Sequence, residues 1–252
     1  MIRNSMLRMA AVVLPMAAAA SVASAQNPSL PSAASLVAKY SAAVGAPAFV
    51  NAKAIITNGA MSMPAAGMNA TFEMTQVAQN QMSMVTTIPG MGEVTVGFDG
   101  TTAWAVDPMQ GPRVLSGKEL DEMKDGADRR VMSRQPDMFT TLQTVADTTM
   151  NSERCYLVKF VSKANRESYD CFSASSGLIV ASKSTQKTAM GDIPVVSLLS
   201  DYKKFGDFSV ATKNVQELMG QQQIVTISSV AVSDGVGVKI APPAAIQAMV
   251  KK

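Results

Sequence analysis

The sequence predicts a mainly β fold of the α+β class, built on antiparallel strands. Three observations carry this. From Ala52 to Val106 apolar residues alternate, and Gly, Pro and Asn break the alternation at short intervals. A charged stretch with helical spacing follows from Ser116 onward. Strand-like alternation then resumes at Arg154. Hydrophobic residues are 47% of the 252, enough to bury a core and too many for a disordered chain.

The first 25 residues read as a signal peptide. Arg3 and Arg8 form a positive n-region, the 11 residues Ala10 to Ala20 an apolar h-region, and Ala23-Ser24-Ala25 a small-residue cleavage site. That run is short of the roughly 20 residues that span a bilayer, so a membrane-integral chain is not expected. The expected product is exported, periplasmic in a bacterium with two membranes, and begins at Gln26. Residues 26–31 form a short tail. No shift of composition divides 32–252, which reads as one domain.

A helix is expected over Ser32 to Val44, because Leu36, Val37, Tyr40 and Val44 share a face and Gly45 supplies a stop. Strand-like runs follow at Ala52–Met63, Met68–Ala78, Gln81–Ile88, Glu93–Phe98 and Thr102–Val106. Ser116-Gly117-Lys118-Glu119 fits a capping box, and Leu120, Met123, Ala127 and Val131 fall on one helical face after it. Pro136 interrupts, and Asp137 is placed to cap a second helix carrying Phe139, Leu142 and Val145. Strands are expected again at Arg154–Ser162, Arg166–Ser173, Leu178–Thr185, Val195–Phe205 and Ile224–Val230, while Phe208 to Val215 is ambiguous. Pro242-Pro243 opens a last helix, Ala244 to Val250. The two β blocks are expected to form one sheet with the helices covering it.

Composition excludes much chemistry. With no histidine, Ser-His-Asp and Cys-His catalysis and His-ligated zinc are absent. Two cysteines are too few for a metal site built on four thiolates. G-x-S-x-G, G-x-G-x-x-G and P-loop patterns are missing. Glu93, Asp99, Asp107 and Asp201 lie near strand ends, where Asp beside Gly is ordinarily a turn residue. An enzyme, a cofactor and a resident metal are therefore not expected. Two of the 22 basic residues and none of the 19 acidic ones lie in the leader, leaving +1 on the remainder. No dense basic patch remains to bind nucleic acid.

Cys155 and Cys171 fall in two strand-like runs about the turn Lys163-Ala164-Asn165. A register centred on residue 163 puts them opposite each other, and an exported chain favours a disulfide over a redox pair. Gly97 to Trp104 reads as a tight Asp-Gly hairpin with Trp104 buried in the sheet.

Methionine is the unusual residue, with 19 in all and seven between Met61 and Met91. Residues two apart share a strand face, so Met61 and Met63, Phe72 and Met74, Met82 and Met84, and Val94, Val96 and Phe98 each point one way. Flexible, polarizable methionine suits a surface that accepts varied apolar ligands, and equally suits plain core packing. A copper(I) site is a third use of thioethers, but no histidine assists it. We expect these nine residues to line an apolar cavity.

Met61-Ser62-Met63-Pro64, Ile88-Pro89-Gly90-Met91-Gly92, Gly97 to Trp104 and Asp107-Pro108-Met109-Gln110-Gly111 occur in that order. With Tyr169 to Val180 and Ile240-Ala241-Pro242-Pro243, they resemble the outer-membrane lipoprotein-sorting proteins, the LolA-like periplasmic carriers and their LolB-like receptors. Similar segments occur in extensions of exported insulinase-type peptidases, whose zinc motif needs histidines this chain lacks. The resemblance covers most of 32–245. It implies an incomplete antiparallel β-barrel with helices covering its open face. It also implies a non-catalytic carrier whose partner is a lipid or an acylated protein. The alternative reading is an interaction module that docks a cell-envelope protein and has no ligand cavity.

Overall fold

The computed structural model describes residues 30–78, 80–188, 191–218 and 220–250. The expected signal peptide and most of the tail lie outside the described residues. Helix α1 (Ala33–Val44) starts at Ser32, whose side chain accepts from the Ser35 amide at 3.2 Å, and ends at Gly45 with φ 67°. Gly45 ends α1, as the sequence implied. A second short helix, α2 (Ala46–Asn51), begins at once with Pro47 in its first turn and displaces the expected strand start at Ala52.

Six strands form the first meander: β1 (Ala54–Met63), β2 (Met68–Val77), β3 (Gln81–Ile88), β4 (Gly92–Phe98), β5 (Ala103–Asp107) and β6 (Gly111–Leu115). The sixth went unread because Pro112 breaks its pattern, and a proline is tolerated there since β6 is a sheet edge. Helices α3 (Gly117–Ala127) and α4 (Arg129–Met132) follow. Asp128 separates them, its side chain accepting from the Arg130 amide at 2.9 Å. Ser116 occupies the N-cap of α3 but makes no side-chain capping bond, and the Glu119 carboxylate pairs with Arg113 at 3.0 Å instead of reaching back to the cap.

The helix expected after Asp137 is not formed. A 3-10 turn, Pro136–Met138, leads into strand β7 (Phe139–Met150). Bulges between Phe139 and Thr141 and between Thr144 and Ala146 interrupt its alternation. The first lets Phe139 and Leu142, three apart, reach the same core, which mimics a helical period. Five threonines within 140–149 favour the extended form.

Six more strands complete the chain: β8 (Glu153–Ser162), β9 (Glu167–Ser173), β10 (Ile179–Thr188), β11 (Gly191–Phe205), β12 (Phe208–Leu218) and β13 (Gln221–Ser233), then helix α5 (Ala244–Val250). The ambiguous Phe208 segment is thus a strand. All thirteen strands lie in one sheet, in the order β6-β5-β4-β3-β2-β1-β13-β12-β11-β10-β9-β8-β7. Its pairs are antiparallel, and β6 and β7 stay unpaired with each other, so the barrel is incomplete.

Two helices cover one face, here the inner face. The α1 residues Leu36 and Val37 pack on Val158, Phe160 and Phe172. The α3 residues Leu120, Met123 and Ala127 pack on Met82, Phe98 and Leu115. Val131 leaves that face because the helix is broken at Asp128. On the outer face Ile240, ahead of α5, and Ile246 of α5 cover Trp104.

Cys155 and Cys171 form the expected disulfide, with 5.4 Å between their Cα atoms. The register differs from the expected one. Cys155 faces Ser173 and Leu157 faces Cys171, so the cysteines are diagonal neighbours. The hairpin closes one residue later than residue 163, with the Ser162 amide donating to Arg166 and Asn165 at φ 57°. Removing both thiols as Cys155→Ala/Cys171→Ala is expected to lower stability by about 3 kcal/mol, the loop-closure value for this span. Urea denaturation checks this, and an unchanged midpoint would refute it.

Candidate functional site

Register settles which residues share the inner face. Phe98, Met82 and Gln76 face one another in one row, and Val96, Met84 and Met74 in the next. Val94, Thr86, Phe72 and Gly59 make a third row. Met61 faces Ala70 and Met63 faces Met68 further along. All nine residues singled out in the sequence therefore lie on one face of β1 to β4. Gly59 leaves room for the Phe72 ring, since a Cβ there would sit 2.5 Å from a ring atom.

They do not share one environment. Phe72, Met82 and Phe98 are buried, the last two beneath α3. Met61, Met63, Met74, Met84, Val94 and Val96 are half-buried. Part of the strip is thus ordinary core and part is an apolar wall. Met61 also borders a recess of about 240 Å³ with Ala70, Pro89 and Ile224.

Polar residues occupy part of the other half of the inner face, beside the apolar cluster under α1. A cleft of about 460 Å³ opens between α3 and strands β9 to β12, and none of the nine residues lines it. Its wall carries Ser168, Ser184, Ser197, Gln186 and Gln216. Ser197 faces Gln216, Gln216 faces Gln223, and the Gln223 amide lies 3.8 Å from the Met61 sulfur. The polar wall thus runs directly into the methionine strip.

The charges around the cleft are paired. The Arg134 Nε donates to the fully buried Asp170, and its Nη2 lies 3.3 Å from the second carboxylate oxygen. Ser182 donates to the same carboxylate at 2.5 Å. Burial works against the Arg134 charge, but Asp170 outweighs it and holds the guanidinium above its ordinary pKa. Burial also raises the Tyr40 and Tyr202 hydroxyls, and Tyr202 donates to the Ile179 carbonyl at 2.9 Å.

Arg166 sits between two acids of α3, 3.7 Å from Glu122 and 3.1 Å from Asp125. The Asp125 oxygen it approaches makes no aligned hydrogen bond. Burial pushes the Asp125 carboxyl above its usual range, opposed by Arg166. Among the described residues no group of three or more His, Cys, Asp or Glu is placed to hold a metal. No described helix is long and apolar enough to cross a membrane.

Sequence reading missed this polar part of the face. One signal was present: Asp170 neighbours Cys171 in an alternating run, so it points to the opposite face and into the interior. A charge at an inward strand position requires a partner. Arg134 stands 36 residues earlier in a left-handed backbone conformation, which no local pattern marks.

The architecture has solved counterparts. A LolA superfamily protein from Nitrosomonas europaea superposes with a TM-score of 0.55 at 12% identity, covering 81% of this chain and 95% of the other. A DUF1329 family protein from Desulfovibrio piger gives 0.54 at 11% identity, covering 79% and 94%. A domain described as an outer membrane lipoprotein-sorting protein, from Vibrio parahaemolyticus, gives 0.51 at 10%, covering 87% and 100%. No family model and no curated protein matches the sequence. At these identities the likeness is one of fold: the chain has a LolA-like fold.

Proposed function

We propose that this protein is a non-catalytic, exported carrier. Its single domain, 32–252, holds the acyl chains of a lipid or an acylated protein in the periplasm. The observation that carries the reading is the methionine strip. Register aligns all nine apolar residues on the inner face of an unclosed sheet, and six of them remain half-buried. Flexible thioether side chains adapt to chains of different length and unsaturation. The LolA-like fold and the disulfide agree with an envelope protein of this kind.

The test uses the two strip residues furthest from α3. Met61→Gln/Met63→Gln is expected to weaken uptake of a fluorescent fatty-acyl probe about tenfold, since each side chain forfeits roughly 0.7 kcal/mol of apolar contact. Both positions are half-buried, so the melting temperature should move little. Met82 is unsuitable for this test because it is only 8% exposed and a polar substitution there unfolds the core. A folded double variant that takes up the probe as well as the parent protein would refute the proposal.

A further inference from the structure

The cleft beside the strip defines the other end of the cargo. We propose, on the basis of the carrier reading, that the protein selects a non-ionic amphiphile with a head of neutral hydroxyl groups, and discriminates against heads bearing a phosphate or carboxylate. Three observations carry this.

The first is a matter of charge. Among the described residues lining the cleft the only cations are Arg134 and Arg166. Both are already committed, Arg134 to Asp170 and Arg166 to Glu122 and Asp125. Glu122, Asp125 and Glu167 also line the cleft, so acids outnumber bases there. Glu167 is itself held by Lys159. An incoming anion would meet like charge and would have to break a pair to find a counter-ion. Breaking the Arg134 pair would strand Asp170, whose side chain has no access to water.

The second is the balance of donors and acceptors. The serine hydroxyls and glutamine amides of the wall both donate and accept hydrogen bonds. A hydroxyl head can donate to these groups as well as accept from them, whereas an ionised phosphodiester or carboxylate offers only acceptors.

The third is continuity. The row Ser197, Gln216, Gln223 ends at the Met61 sulfur, so one molecule can span the polar cleft and the apolar strip. A volume of about 460 Å³ is in the range of small-molecule sites.

The experiment is competition for a bound fluorescent fatty-acyl probe by two lipids with the same dioleoyl chains. One carries a single neutral hexose and the other is phosphatidylglycerol. The hexose lipid is expected to displace the probe at a concentration at least about tenfold lower, because like-charge contact opposes the other. Equal displacement, or a preference for phosphatidylglycerol, would overturn the inference and leave the carrier reading intact. Failure of the probe and of both lipids to bind would sink the carrier reading itself.

A second arm inverts the charge. Glu122→Gln/Asp125→Asn leaves the Arg166 guanidinium without its two carboxylates, and phosphatidylglycerol binding should rise about tenfold while hexose-lipid binding holds. Unchanged phosphatidylglycerol binding in this variant, folded by its melting curve, would count against the charge argument. If the variant does not fold, the wild-type competition decides alone.

Discussion

Arg134→Met is expected to cost about 3–5 kcal/mol of folding stability, the usual result of removing one member of a buried ion pair. Asp170 keeps its charge, has no exposed surface, and retains only Ser182 as a hydrogen-bond donor from its present set. The guanidinium also reaches the Val131 carbonyl at 3.0 Å and lies 5.7 Å from the Phe160 ring centroid. Its loss therefore loosens the joint between the helical insert and β8 and β9. Replacing both members, as Arg134→Met/Asp170→Leu, should recover much of the loss, since no uncompensated charge then remains. Urea denaturation of the parent and the two variants checks both statements. A single variant within about 1 kcal/mol of the parent would show that water reaches the pair.

Trp104→Ala is expected to cost about 3–5 kcal/mol, the range for deleting a large buried aromatic side chain. Trp104 is 1% exposed and packs with Ile240 and Ile246, so its removal also uncouples α5. The ring closely approaches Gly97 on the neighbouring strand, where a Cβ would fall 2.3 Å from a ring atom. Gly97→Ala should therefore be destabilising by itself, yet nearly neutral in the Trp104→Ala background. A double-mutant cycle measures that coupling. Additive losses would mean that ring and glycine do not meet as described.

These two clusters differ in how far the sequence announced them. Trp104 and its Asp-Gly hairpin were legible because both signals are local: a turn dipeptide and an apolar alternation within one short segment. The same is true of the methionine rows, whose shared face follows from strand period alone once the strands are recognised. Register was less legible. The Cys155–Cys171 hairpin closes one residue later than its turn residues suggest, and nothing nearby distinguishes residue 163 from residue 164 as the centre. Strand β7 shows a different failure. Its bulge gives Phe139 and Leu142 a spacing of three on one face, which is the helical signature, and only pairing with β8 exposes the difference. The Arg134–Asp170 pair was illegible for a third reason. Its members meet across 36 residues through a helical break, and long-range geometry of that kind leaves no periodic trace.

The unclosed sheet has a consequence for how copies of this chain meet. Strands β6 and β7 each carry an outer row of backbone groups with no neighbouring strand, the usual starting point for runaway edge-to-edge polymerisation. Both rows are spoiled as templates. Pro112 removes a donor from β6, and α5 lies against it. Two bulges twist β7, and the Thr144 hydroxyl pins the Pro31 carbonyl across it at 2.7 Å. An incoming strand would find neither edge straight nor fully bare. The sheet thereby keeps its gap without offering either edge as a straight template for filament growth.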